Sequence, residues 1–265
     1  MRFKMCFWGL LLCVGCTKNE NFSDVKIIGH GAVGLHNPSS IYHDNSGEAI
    51  DYALGQAGCE GVEIDVQLSK DGSFWLFHDP FLEQETNESG CIPQLNDLFL
   101  SHVRYKTLKK ERLFRFAELD FSRLKNKTLM LDLRHYDYCA EAIIDVQKVV
   151  DQLTAFPALI NGDLEVIVLL NLKEWYPHFQ DFPFAMYYYT DAYSDAVSTV
   201  NEVPFDGVVM RNNAIRKEEV NWMHSHGKKV IIFEVRSPKG IKSAFKKHPD
   251  YLVTDDLKAT IIEKY

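Results

Sequence analysis

The chain of 265 residues is 46% hydrophobic and 25% charged, a globular composition with ample length to bury a core, as one large α/β domain or two small ones. Its net charge of −8, with Asp and Glu spread along the chain, argues against a nucleic-acid-binding surface. No internal repeat or low-complexity tract interrupts it.

At the start, Arg2 and Lys4 precede an apolar run over residues 5–14 that is too short to span a bilayer as a helix. Gly15-Cys16 and a polar stretch follow, the outline of a secretory signal peptide. A small residue directly before a cysteine resembles a bacterial lipobox, although Cys13 stands where that motif usually has Leu. The expectation is a signal peptide over residues 1–15, Cys16 as the lipidated mature N-terminus, a short tether over 16–24 and one folded domain over 25–265. Such a protein is exported and held at the cell envelope by its lipid. Cys6 and Cys13 would leave with the leader. Cys59, Cys91 and Cys139 then remain, an odd number that allows at most one disulfide and leaves one thiol. Each reads most simply as a small buried apolar residue.

Strand and helix patterns then alternate. A short apolar run over 25–28 ends at Gly29-His30. Asn45-Ser46 marks a helix start, with Ala49, Ile50, Ala53 and Leu54 at helical spacing and Gly58 as a stop. Residues 61–68 alternate as a strand. Asp71-Gly72 is a turn signal, and 73–77 a second strand. Residues 81–121 show no clear strand and read as an excursion. Strands follow over 129–133, 165–170, 184–189, 205–210, 229–235 and 250–253, and helices over 140–153, 217–226 and 239–247. This alternation implies a parallel sheet, and about eight units at this length suit a closed (β/α)8 TIM barrel.

Active residues in such a barrel sit at the C-terminal strand ends. His30 ends the first strand, and His78 ends the strand after the turn. Glu63 and Asp65 are two apart and share one face of a strand whose other face is Val62, Ile64 and Val66. Two adjacent carboxylates repel unless something positive lies between them. A divalent cation is the simplest solution, and oxygen ligands favour Mg or Ca, with Mn possible, over zinc. Asp132 is a candidate third ligand. Arg134, on the same strand face, is a candidate anion clamp. His36, His43, His135, His224 and His226 have no argued partner and read as surface or loop residues. Tyr187-Tyr188-Tyr189 reads as strand packing.

His30-Gly31, Asn45-Ser46, the run Gly61-Val62-Glu63-Ile64-Asp65-Val66, Lys70-Asp71-Gly72 and His78-Asp79 resemble the opening block of the glycerophosphodiester phosphodiesterase family. Leu131-Asp132-Leu133-Arg134 resembles that family's Glu-x-Lys strand. Pro249-Asp250-Tyr251-Leu252-Val253-Thr254-Asp255 resembles its C-terminal pattern. The resemblance implies a phosphodiesterase barrel over 25–265, one divalent cation, and hydrolysis of a small glycerophosphodiester to an alcohol and glycerol 3-phosphate. It makes His30 and His78 the acid–base pair, Glu63, Asp65 and Asp132 the metal ligands, and Arg134 the phosphate-binding cation. Phosphodiester cleavage needs those parts: neutralised phosphoryl oxygens, a base for the nucleophile and an acid for the leaving alkoxide. The chain departs from the family at Gly31, where an arginine is usual, at Asp132, and at Phe233-Glu234-Val235-Arg236, where Trp-Thr-Val-Asn is usual. Arg134 and Arg236 are the cations available to compensate. Two other readings stand beside this one: a phospholipase C-like enzyme acting on intact phospholipid or phosphoinositide, and an inactive barrel that binds a phosphorylated ligand.

Overall fold

Eight parallel strands close into a ring in the computed structural model, which describes residues 22–35, 37, 40–161 and 164–265. They are β1 (Lys26–Gly29), β2 (Gly61–Leu68), β3 (Thr128–Leu133), β4 (Glu165–Leu170), β5 (Ala185–Tyr189), β6 (Gly207–Arg211), β7 (Lys229–Val235) and β8 (Tyr251–Thr254). Each strand pairs in parallel with its sequence neighbours, and β8 closes the ring against β1. This is a (β/α)8 barrel. The leader, Cys16 and His36 lie outside the described residues. Among those described, no helix is long and apolar enough to cross a membrane.

Successive side chains point to opposite faces of the barrel wall, and both faces are covered. One set of side chains, including Val62, Ile64, Val66, Leu129 and Leu131, packs outward under the helices. The other set, including Ile28, Met130, Ile167, Tyr187, Ile231 and Tyr251, fills the barrel interior. Burying each such aliphatic side chain contributes roughly 1.5–3 kcal/mol. The outer layer holds α1 (Gly47–Leu54), α2 (Val146–Thr154), α3 (Tyr193–Glu202), α4 (Lys217–Ser225), α5 (Pro238–Phe245) and α6 (Leu257–Lys264). The N-terminus of α1 is fixed by Ser46, whose hydroxyl accepts from the Ala49 N–H, and Ala49, Ile50, Ala53 and Leu54 form its buried face. The helix stops at Leu54 rather than at Gly58, whose φ of +92° belongs to the loop beyond.

No long helix covers the β2–β3 step. Residues 69–127 make an excursion that includes the one expected over 81–121, and the strand expected over 73–77, Phe74–Leu76, pairs antiparallel with β2 and with a short strand the sequence did not show, Phe114–Arg115. Its own small core is built on Trp75, Phe77, Leu82 and Tyr105.

Two expectations are corrected. The helix expected over 140–153 begins only at Val146, behind an Asp145 cap. Its first part is a hairpin of Tyr136–Asp137 with Ala142–Ile143. Asp137 Oδ1 accepts from the N–H groups of Cys139 and Ala140, and Glu141 takes a φ of +49°, so local side-chain bonding outcompetes the helix. Cys91 and Cys139 are not isolated apolar fillers. They form a disulfide, with Cα atoms 6.0 Å apart, that ties this hairpin to the excursion, while Cys59 stays a buried thiol.

Candidate active site and metal centre

The interior side chains give way to polar ones at the C-terminal ends of β1, β2 and β3. Glu63, Asp65 and Gln67 of β2 all point inward, on the face opposite Val62, Ile64 and Val66. Asp132 of β3 stands in register beside Asp65. Glu63, Asp65 and Asp132 each offer an oxygen, and these atoms lie within 4.8 Å of one another. The structure therefore brings the expected ligand set together.

The loop 29–32 wraps this cluster. The Gly31 N–H donates to Glu63 Oε2 at 2.8 Å. Gly31 has a φ of +50°, and a Cβ there would meet Asp44 Cβ and a Leu35 methyl at 2.9 Å each, so the loop has no room for a side chain. Asn45 grips Asp65 twice: its Nδ2 donates to Asp65 Oδ2 at 2.8 Å, and the Asp65 N–H donates to its Oδ1 at 2.9 Å.

Charge in the cluster is unbalanced. Burial, then repulsion by Asp65 and Asp132, pushes the Glu63 carboxyl well above the usual range. Burial and Asp65 also raise Asp132, against the pull of Arg134. For Asp65 burial is outweighed by Arg134, His78 and the Asn45 bond, and its carboxyl is held low. Arg134 donates to Asp65 and lies 3.6 Å from Asp132 Oδ2. One guanidinium thus faces three carboxylates. Two buried carboxylates and a half-buried third, with surplus negative charge, fit a hard divalent cation.

The two histidines flank the cluster, each braced by a carboxylate. His30, just past β1, has Nδ1 at 2.7 Å from Asp255 Oδ1 and Nε2 at 4.0 Å from Glu63. Asp255 also accepts from the Leu35 N–H and, through Oδ2, from Arg236 Nε at 3.0 Å. His78 Nδ1 lies 2.7 Å from Asp79 Oδ1. Gln67 Nε2 donates to the carbonyls of Phe77 and Asp79, at 2.8 and 2.9 Å, and so fixes the backbone on either side of His78. Burial alone would lower the His78 pKa, but the Asp79 bond and the Asp65 charge raise it.

His30, Glu63, Asp65, His78, Asp132 and Arg134 line one cavity of about 410 Å³. The ends of β6 and β7 add Arg211, Phe233, Glu234 and Arg236, and the disulfide-tied hairpin contributes Tyr136 and Tyr138. Tyr189 and His135 also line it. His135 was expected at the surface, and burial lowers its pKa. His43, expected there too, is instead packed on Tyr105, with ring centroids 3.7 Å apart, between Asp44 and Glu85. Sequence reasoning missed Asn45, Gln67 and Asp255 as parts of the site, while Arg236, expected as a compensating cation, does line the cavity. The Asp ending the Thr254-Asp255 strand was the one available signal, since it sits at a strand end.

The family model for the Glycerophosphoryl diester phosphodiesterase family matches residues 31–174, more than half of the chain. Over 51 residues the chain is 41% identical to a glycerophosphodiester phosphodiesterase of Bacillus altitudinis, a match spanning 19% of this chain and 20% of that relative. A protein of Agrobacterium tumefaciens assigned as a glycerophosphoryl diester phosphodiesterase superposes with a TM-score of 0.76 at 14% identity, over 91% of this chain and 97% of that one. A phosphodiesterase of Oleispira antarctica, whose structure holds the product sn-glycerol-3-phosphate, superposes with a TM-score of 0.73 at 18% identity, over 90% and 96% of the two chains. At those identities the two structures speak for the fold. With the family model covering more than half of the chain, and Glu63, Asp65, His78, Asp132 and Arg134 among the matched residues, the chain belongs to the glycerophosphoryl diester phosphodiesterase family.

Proposed function

We propose that the protein is a metal-dependent hydrolase of small glycerophosphodiesters, releasing an alcohol and glycerol 3-phosphate. The observation that carries this reading is two carboxylate-braced histidines flanking three clustered carboxylates in one cavity. Family membership and the product bound to the Oleispira antarctica relative support the substrate class.

Glu63, Asp65 and Asp132 are the residues to hold one divalent cation, Mg, Ca or Mn. When bound, it neutralises charge on the phosphoryl oxygens as a Lewis acid. His30 accepts on Nε2, because Asp255 occupies Nδ1, the proton of the attacking oxygen, which is either water directly or a glycerol hydroxyl whose cyclic phosphate water then opens. The oxygen–phosphorus bond forms as the bond to the head-group oxygen breaks. His78, whose pKa is raised, starts protonated and donates to the leaving alkoxide. Arg134 offers the phosphoryl group a cation at the edge of the cluster. Its Nε is buried with no acceptor among the described residues, a donor that a phosphoryl oxygen would satisfy. Release of glycerol 3-phosphate from a panel of glycerophosphodiesters, with and without chelator, tests the reading. No release with any of the three cations would reject it.

We also infer that the protein is exported and carries lipid on Cys16. The disulfide between Cys91 and Cys139 supports an oxidising destination.

A further inference from the structure

Three arginines line the cavity, and they are not equivalent. Arg134 is held within the carboxylate cluster by Asp65 and Asp132. Arg211 is committed on every edge. Its Nε donates to Asp191 at 2.7 Å, Nη1 to Glu234 and Nη2 to the Tyr189 hydroxyl at 3.3 Å, and the guanidinium lies 5.2 Å from the Phe233 ring centre. Arg236 spends only Nε, on Asp255. Among the described residues its two terminal nitrogens meet no acceptor, and its side chain is 58% exposed.

We propose that Arg236 is a phosphate-binding residue of this site, its guanidinium aimed into the cavity by the same carboxylate that holds His30. The inference rests on the phosphodiesterase reading and adds a second anion contact to it. A guanidinium pinned through Nε presents its two Nη groups as a fork whose spacing matches two oxygens of a phosphate. Asp255, 5% exposed on its side chain, uses Oδ1 for His30 and Leu35 and Oδ2 for Arg236. The diester is thereby gripped by a cation rigidly tied to the group that removes the proton. Gly31, with no space for a side chain, leaves this side of the cavity without another cation beside His30.

The test uses the cation-loaded full protein and compares wild type with Arg236→Gln and Arg236→Lys. The probes are inorganic phosphate, whose binding is read by calorimetry, and a glycerophosphodiester, whose turnover is read by kinetics. Charge-assisted hydrogen bonds of this kind set the expected size. Arg236→Gln should weaken phosphate binding and raise KM by about ten- to hundred-fold, with the loss falling on KM more than on kcat. Arg236→Lys should recover part of both. An unchanged phosphate Kd together with a shifted pH profile would overturn the proposal, leaving Arg236 as a brace for Asp255 alone. If wild type turns over no glycerophosphodiester but Arg236→Gln still loses phosphate, the assigned reaction fails while the phosphate contact stands.

Discussion

His30 and Asp255 are 225 positions apart in the chain, yet the imidazole Nδ1 lies 2.7 Å from the carboxylate. Barrel closure makes the contact: Gly29 of β1 stands in register with Thr254 of β8, so the residues that follow each strand meet. His30 and Arg236 together outweigh burial and hold the Asp255 carboxyl below the usual range, so it stays ionised wherever the enzyme works. It therefore fixes the tautomer that leaves a lone pair on Nε2 and stabilises the imidazolium formed there. Asp255→Asn should lower turnover by about 10²–10⁴, the worth of a positioned acid or base, with little change in cation affinity. Steady-state kinetics alongside calorimetry would check this. Near wild-type turnover would mean that the bond orients nothing of consequence.

Glu63 is buried beside Asp65 and Asp132, and its carboxyl is pushed well above the usual range by burial and by those neighbours. Glu63→Gln keeps the shape and an acceptor for the Gly31 N–H but removes one negative charge from the cluster. Binding of Mg, Ca or Mn should weaken at least about tenfold, while the melting temperature of the metal-free protein does not fall, because a buried repulsion has gone. Equal cation affinity in the variant would place the metal elsewhere.

His78→Ala should lower turnover by about 10²–10⁴ and leave cation binding intact. The pH profile gives a second reading. Asp79 and Asp65 overcome burial and raise the His78 pKa above 6.5. The acid is thus protonated below that raised value and lost above it. The high-pH limb of the rate should lie above 6.5 and should disappear with His78. A variant that keeps the limb would assign the proton donor to another group.

Cys16 as the lipidated mature N-terminus is tested by mass spectrometry of protein purified from membranes. The expected species lacks residues 1–15 and carries acyl mass on Cys16. Retention of Met1, or an unmodified N-terminus beyond Cys16, would reject it.

Most of the barrel was legible because its strands carry a period of two and its helices carry caps. Residues 61–68 form β2 as read, and Ser46 caps α1. The inward pair Glu63 and Asp65 followed from that period alone, and Asp132 from the same argument applied to β3. The hairpin over 136–143 was not legible. Residues 140–143 run on into the helical spacing that follows them, and what breaks the helix is Asp137 bonding to two N–H groups and the disulfide from Cys139 to Cys91. Asp255 and Arg236 were visible as residues, but not Asp255 as the partner of His30 nor its bond to Arg236. A contact made by closing a ring between the first strand and the last leaves no trace in local spacing.

The bond between Cys91 and Cys139 gives the cavity a chemical finishing step. The three carboxylates and His30 are placed by β1, β2, β3 and β8, and His78 by the short strand Phe74–Leu76 that pairs with β2; none of those strand pairings includes Cys91 or Cys139. The wall that carries Tyr136 and Tyr138 belongs to the fastened hairpin. A chain kept reduced would thus own its proton-transfer groups before it owned its full enclosure. On the proposed function, discrimination between head groups, more than the capacity for turnover, would then depend on the oxidising power of the compartment.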